Sequence, residues 1–284
     1  MKNLLSIALC LPLAACVIGE ENGGSTGGGD DDTQGGTNNP NDGSITGLIS
    51  QDTTWSGEVL IGYDRATTRI EPNVTVTVSP GTVIKFKEGA SLDIKGKFLV
   101  QGTSAQKVRI EGVSQNGYAL LLSGAPATGT LELTYAVMTR GAIQTSPGST
   151  TKITDTKMYR ASGDLLVLSG GTLTMTYSQI GPAPGETEST HCNIHTSGNA
   201  NTISVTYSDI NGAPFGMMLY GGLNTIFTNN NWYGNMKDIA SDGTNVSADI
   251  TGSWFAGGTP TSGNGATYTG VAATAKISGT GVRP

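Results

Sequence analysis

From Ile45 onward the chain runs in short bursts of alternating apolar and polar residues, separated by Gly, Pro, Asn, Asp and Ser. Val83-Ile84-Lys85-Phe86-Lys87, Leu92-Asp93-Ile94, Phe98-Leu99-Val100 and Val108-Arg109-Ile110 each send alternate side chains to one face, the period of a half-buried strand. No convincing helical periodicity is present. The bursts also repeat one another: Thr134, Thr154, Thr176, Thr206 and Thr228 hold equivalent places in segments beginning at Leu131, Thr151, Leu173, Ile203 and Thr225, at intervals of 20, 22, 30 and 22 residues. Strands of three to five residues recurring with a period near 22 cannot bury a face alone and must stack, which predicts a β-solenoid. Leucine-rich repeats share this period, but their Leu/Asn consensus and alternate helices are not visible.

The segment Thr77 to Thr103 resembles the opening rungs of bacterial right-handed parallel β-helix proteins with the pectin-lyase-like fold, and Asn229-Asn230-Asn231-Trp232-Tyr233-Gly234 is similar to the Asn/Trp/Gly segment that often closes them. The resemblance covers residues 47–284. It implies an all-β, single-stranded right-handed parallel β-helix of about ten rungs, a rod on the order of 45 Å long at the usual strand spacing. Ile45 to Tyr63, with Trp55, is the expected N-terminal cap, and the Gly/Thr-rich stretch after Trp254 the C-terminal one. This fold carries many unrelated activities, so activity must be argued from side chains.

Composition agrees with an all-β body: 42 of 284 residues are Gly and aromatics make up only 6%, which suits many tight turns. The first residues differ. Lys2, an apolar run from Leu4 to Leu13 and the small residues Ala14-Ala15 before Cys16 resemble a bacterial lipoprotein signal; the apolar run is too short to span a bilayer. The resemblance implies cleavage before Cys16 and acylation of its thiol, with palmitate-type chains that anchor the protein firmly. Cys10 is a poor rival because Leu9 precedes it, and Val17, where an aspartate would favour the inner membrane, points to the outer membrane. Residues 1–15 are then the signal peptide, 16–44 the lipidated cysteine and a disordered linker, and 45–284 the β-helix domain.

The linker is rich in Gly, Asn, Thr and acid, so it cannot bury enough apolar surface to offset its ordering entropy. As a Gly-rich coil it reaches on the order of 30 Å. It holds six of the 22 acids, Glu20, Glu21, Asp30, Asp31, Asp32 and Asp42, which leaves residues 45–284 with 16 acids against 15 bases. A nearly neutral body gives no domain-wide basic excess for nucleic acid. After maturation only Cys16 and Cys192 remain, so no internal disulfide is possible.

Three groups of side chains are candidates for chemistry. The pectin-lyase-like resemblance implies outward clusters of acids and bases on adjacent rungs, and the best set is Asp155, Arg160, Asp164 and Asp209 for a lyase or hydrolase, with calcium as cofactor only in the lyase case. Asp155 and Asp209 fall two rungs apart, on the order of 10 Å, just beyond the usual spacing of an inverting pair. The column Tyr135, Asp155, Tyr177, Tyr207 and Asn229 otherwise reads as a ladder of bend residues. The second group lies in the 30-residue interval, where His191, Cys192 and His195 fall together and Glu186 or Glu188 could complete a zinc or copper shell. Strand alternation argues against this, because it sends Cys192 inward and both histidines outward. The third is a run of bases, Lys85, Lys87, Lys95, Lys97, Lys107 and Arg109, able to bind acidic glycans if stacked on one face. The expectation is a non-catalytic, monomeric scaffold or recognition module, without cofactor, whose partners are the membrane, through Cys16, and a glycan or another envelope protein. Polysaccharide lyase or hydrolase activity is the alternative, and metal binding through His191 and His195 a second. The interval from Gly181 to Asn199 and the nearby bends are the expected contact surface.

Overall fold

A computed structural model describes residues 37–38, 43–62, 68–113, 118–122, 129–161, 163–182, 191–197, 201–220, 224–241, 246–263 and 265–284. Cys16 and most of the linker lie outside these residues, as do Glu186 and Glu188. Every regular element among the described residues is a strand. The strands form three sheets of 11, nine and 10 strands, and from Ile45–Thr46 onward each strand pairs in parallel with its counterpart one rung away. Val83–Phe86, Ser91–Ile94 and Lys97–Gln101, for example, pair with Val108–Gly112, Tyr118–Leu122 and Thr130–Thr134. The chain is therefore a parallel β-solenoid.

Alternation decides which side chains fill it. Val83–Phe86 and Thr75–Val78 put every second residue inside, as do most strands, and strict register then stacks like on like. In the 11-stranded sheet, called the first, Ile84, Ile110, Met138, Met158, Ile180, Ile210 and Trp232 follow one another up the interior. All are fully buried, and each such side chain contributes about 1.5–3 kcal/mol relative to exposure. In the nine-stranded second sheet the same role falls to Leu92, Leu120, Ile143, Leu166, Ile194 and Met217. Nine stacked strands make about eight turns rather than the expected ten. Residues beyond the last strand, Ala266–Thr269, add no rung, and the interval of 30 residues between Thr176 and Thr206 spends more chain on one turn than the period near 22 allows.

The bend from the third sheet to the first explains the repeat. Tyr135, Asp155, Tyr177, Tyr207 and Asn229 all take left-handed backbone conformations, with φ from 47° to 58°, and so turn the chain in one residue. Except at Ala136, the residue that follows is polar, and its side chain serves the rung below it. Thr156 Oγ1, Ser178 Oγ, Ser208 Oγ, Asn230 Oδ1 and Ser253 Oγ accept the backbone N–H of Ala136, Thr156, Ser178, Ser208 and Asn230, at 2.9–3.3 Å. These residues are fully buried, where an unpaired N–H is costly. The threonine repeat thus marks the residue before a turn, and the buried hydroxyl ladder two places on makes that turn tolerable.

The ends are closed differently from expectation. Thr37–Asn38, in the expected linker, pairs antiparallel with Ile45–Thr46. At the other end Ala266–Thr269 adds a last strand to the third sheet, but the chain does not stop there as a cap. It returns along the rod. Ala273 N–H donates to Ser253 O, Ile277 N–H to Asn231 Oδ1 and Gly281 N–H to Tyr207 O, and Arg283 reaches Asp155. The bends supply what this strap needs, a column of backbone carbonyls and polar side chains at rung spacing.

Candidate functional site

The four acids and bases nominated for hydrolysis are split between two bends. Asp155 and Asp209 lie where the third sheet passes into the first, and both are held by the C-terminal strap. Asp155, 1% exposed, accepts Arg283 Nε at 2.8 Å, Nη2 at 2.6 Å and backbone N–H at 3.2 Å. The bond to the Asp155 carboxylate holds the Arg283 guanidinium even further into its protonated range. The same guanidinium stacks on Tyr177 at 4.1 Å, and Tyr177 stacks on Tyr207 with centroids 5.2 Å apart. Asp209 Oδ1 accepts Thr280 Oγ1 at 2.7 Å and Asn231 Nδ2 at 3.1 Å. Burial and the Asp209 carboxylate push the Tyr233 hydroxyl up to about 12.

Arg160 and Asp164 belong to the other bend, between the first and second sheets. Arg160 takes a left-handed turn (φ 64°), as Arg140 does one rung earlier (φ 60°). Asp164 faces Cys192 and the two histidines instead of Asp155 or Asp209.

Around Asp164 the structure corrects the expected divergence of thiol and imidazoles. Cys192–Thr196 does not alternate cleanly: Cys192, Asn193 and Ile194 are buried in succession. Asn193 Nδ2 donates inward to the carbonyls of Ile180 and Asn211, at 3.3 and 2.9 Å, while Ile194 packs in the core. With two neighbours turned inward, Cys192 falls on the same side as His195. Both meet Asp164 from the preceding rung. Oδ1 accepts the Cys192 thiol at 2.9 Å and its backbone N–H at 3.1 Å, and lies 3.2 Å from His191 Nδ1. Oδ2 lies 2.7 Å from His195 Nδ1, and His191 Nδ1 is 3.5 Å from the Cys192 sulfur.

Burial alone would raise the Asp164 carboxyl, but the hydrogen bonds from His195 and Cys192 and the charge of His195 outweigh it and hold it at about 2. The thiol moves the other way: burial first, then the carboxylate beside it, push Cys192 well above its ordinary range. A thiol held protonated is a poor nucleophile, so a Cys/His nucleophile does not fit here. The imidazoles are fixed edge-on by neighbouring rings, His191 against Phe215 at 5.2 Å and His195 against Tyr220 at 5.3 Å.

Asp164 also closes one end of a cleft of about 330 Å³ on the outer face of the second sheet, with Ser91, Ala119, Ala142, Gln144 and Val167 in its lining. A second cleft of about 230 Å³ shares Gln144 and Val167 and extends it to Ser169. Small residues make the groove. Gly141 is required beside it, because a Cβ there would lie 2.2 Å from the Tyr118 ring. A separate cleft of about 430 Å³ at the C-terminal end has Asp238 in its wall, which burial raises and Asn235, donating at 2.8 Å, partly restores.

The six bases do not gather on one face. Lys85 and Arg109 are on the first sheet, Lys97 on the third. Lys85 pairs with Glu58 at 2.7 Å, Arg109 with Glu111 at 3.1 Å and Lys95 with Asp93 at 3.9 Å. Lys87 bonds elsewhere; Lys97 and Lys107 are exposed.

Fold and site together define a parallel β-solenoid with a polar groove that ends at an Asp/Cys/His cluster. Comparison of the chain with protein-family models, curated proteins and solved structures gives no match.

Proposed function

We propose that this protein is a non-catalytic recognition module of the cell envelope, held by lipid on Cys16 at the outer membrane and binding a glycan strand along its second sheet. The observation that carries the reading is the fate of Asp155 and Asp209. Both carboxylates are engaged by the C-terminal strap, whereas a hydrolase needs them open to substrate. The groove supports the glycan as partner: hydroxyl and amide groups from Ser91, Gln144 and Ser169 line a floor of small residues that lets a sugar ring approach. The Leu13-Ala14-Ala15-Cys16 motif supports the lipoprotein assignment, and the Thr77 to Thr103 pattern supports kinship with pectin-lyase-like β-helices.

The test is a panel of envelope and plant-type polysaccharides, scored both for binding and for chain cleavage with and without calcium. Retention of a glycan without cleavage, lost in Ala142→Trp, which fills the groove, is the expected result. Cleavage that disappears in Asp155→Ala or Asp209→Ala would overturn the reading in favour of a lyase or hydrolase. Binding unchanged in Ala142→Trp would remove the groove from it.

A further inference from the structure

We infer that Asp164, Cys192, His195 and His191 form a transition-metal site, with zinc as the ion their chemistry fits best. The four residues offer one carboxylate, one thiolate and two imidazole nitrogens, and the donor atoms of Asp164, Cys192 and His195 all lie within 4.8 Å of one another. Thiolate with imidazole selects zinc and its neighbours over calcium or magnesium, which prefer all-oxygen shells.

Charge supports the assignment. A divalent ion beside one carboxylate, one thiolate and two neutral imidazoles gives a neutral centre, the condition under which a largely buried charge is tolerated. Geometry supports it as well. In a tetrahedral zinc site with bonds of about 2.0–2.3 Å, donor atoms stand roughly 3.3–3.8 Å apart. Here His195 Nδ1 is 2.7 Å from Asp164 Oδ2, the Cys192 sulfur 2.9 Å from Oδ1 and His191 Nδ1 3.2 Å from Oδ1. These are hydrogen-bond distances, so these three pairs are gathered around their protons and must open by less than about 1 Å to admit an ion. Binding replaces the thiol proton with the metal, and that proton leaves to solvent.

The surroundings are shaped for the purpose. The inward turn of Asn193 next to Ile194 puts the thiol on the imidazole side, at the cost of an Asn193 Oδ1 with no hydrogen-bond partner among the described residues. Both imidazoles present Nδ1 to Asp164, and the rings of Phe215 and Tyr220 fix their planes. Asp164, Cys192 and His195 are the three inner donors. His191, whose side chain is 55% exposed, closes the fourth position. The site adds to the recognition reading without depending on it, since metal uptake and glycan retention are separate measurements.

The experiment uses the full chain with Cys10→Ala and Cys16→Ala in every form, so that Cys192 is the one thiol present and the result does not depend on lipidation. Zinc is added, excess is removed, and bound metal is counted by mass spectrometry; cobalt then replaces zinc as a spectroscopic probe. The expected result is one equivalent per chain and a thiolate-to-cobalt charge-transfer band. Cys192→Ser should abolish that band and weaken binding by at least about 100-fold, because even outer-shell changes cost about 10–100-fold. His195→Ala should weaken binding comparably and serves as the second test where Cys192→Ser does not fold. Calcium should not compete. Substoichiometric zinc in the wild type, or uptake and spectrum unchanged in Cys192→Ser or His195→Ala, would overturn the assignment.

Discussion

Replacing Arg283 with Ala should loosen the C-terminal strap and destabilise the rod, because it strips the guanidinium from a carboxylate that is 1% exposed. The guanidinium makes two bonds to Asp155, at 2.8 and 2.6 Å, and is itself about half exposed. An exposed ion pair contributes about 0–1 kcal/mol, and removing one partner of a fully buried pair costs about 3–5 kcal/mol. With one partner buried and the other screened, about 2 kcal/mol is expected, or a drop in Tm of about 4–8 °C for a domain of this size. Arg283→Lys should recover only part, since an ammonium cannot copy the two-pronged contact. Thermal melts of Arg283→Ala in the wild-type and Asp155→Asn backgrounds measure the coupling, and limited proteolysis reports release of the strap. The two shifts should differ by most of the effect. A melt within about 1 °C of wild type, or equal losses in both backgrounds, would refute the claim that Asp155 is committed to the strap, and with it the chief support for a non-catalytic role.

Ser178→Ala should cost about 1–3 kcal/mol in urea unfolding, because it strands the buried Thr156 N–H, now 3.2 Å from Ser178 Oγ; Ser169→Ala, at an exposed hydroxyl pair, should cost less than about 0.5 kcal/mol, and equal losses would refute the ladder. The folded-state ionisation of Tyr233 at about 12 lies above its value of 10.0 when unperturbed. Its contribution to stability is therefore complete below pH 10 and lost as pH rises towards 12, and Tyr233→Phe should flatten that part of an alkaline unfolding profile. Cys16→Ala should move the protein from the membrane to the soluble fraction with its melting curve unchanged; unchanged fractionation would remove the lipid anchor.

The parts of this molecule that were legible in the sequence are those that the chain repeats. A left-handed bend residue every 22 or so positions, such as Tyr177 or Tyr207, must be preceded by a strand end and followed by a group that satisfies a buried N–H. The threonine repeat and the Thr156, Ser178, Ser208 and Asn230 column therefore stand in the sequence at fixed offsets, although only the threonine signal is obvious without the register. Contacts that occur once leave no such trace. Arg283 finds Asp155 across 128 residues, a distance at which no spacing rule operates, so the final residues read as a cap when they form a strap. The Asp164 cluster was obscured for a different reason. Its members were all visible, but the alternation rule that separates Cys192 from His195 fails at one place, where Asn193 turns inward to serve the carbonyls of Ile180 and Asn211. Natural chains break a local rule where another requirement prevails. Here the break costs an amide oxygen that has no partner among the described residues, which packing alone gives no reason to accept. Asn193→Leu removes that defect and should stabilise the metal-free rod, and if it also turns Cys192 away from Asp164 it should lower zinc uptake in the same protein. A gain in stability with zinc uptake unchanged would mean that the inward Asn193 is not what positions the thiol.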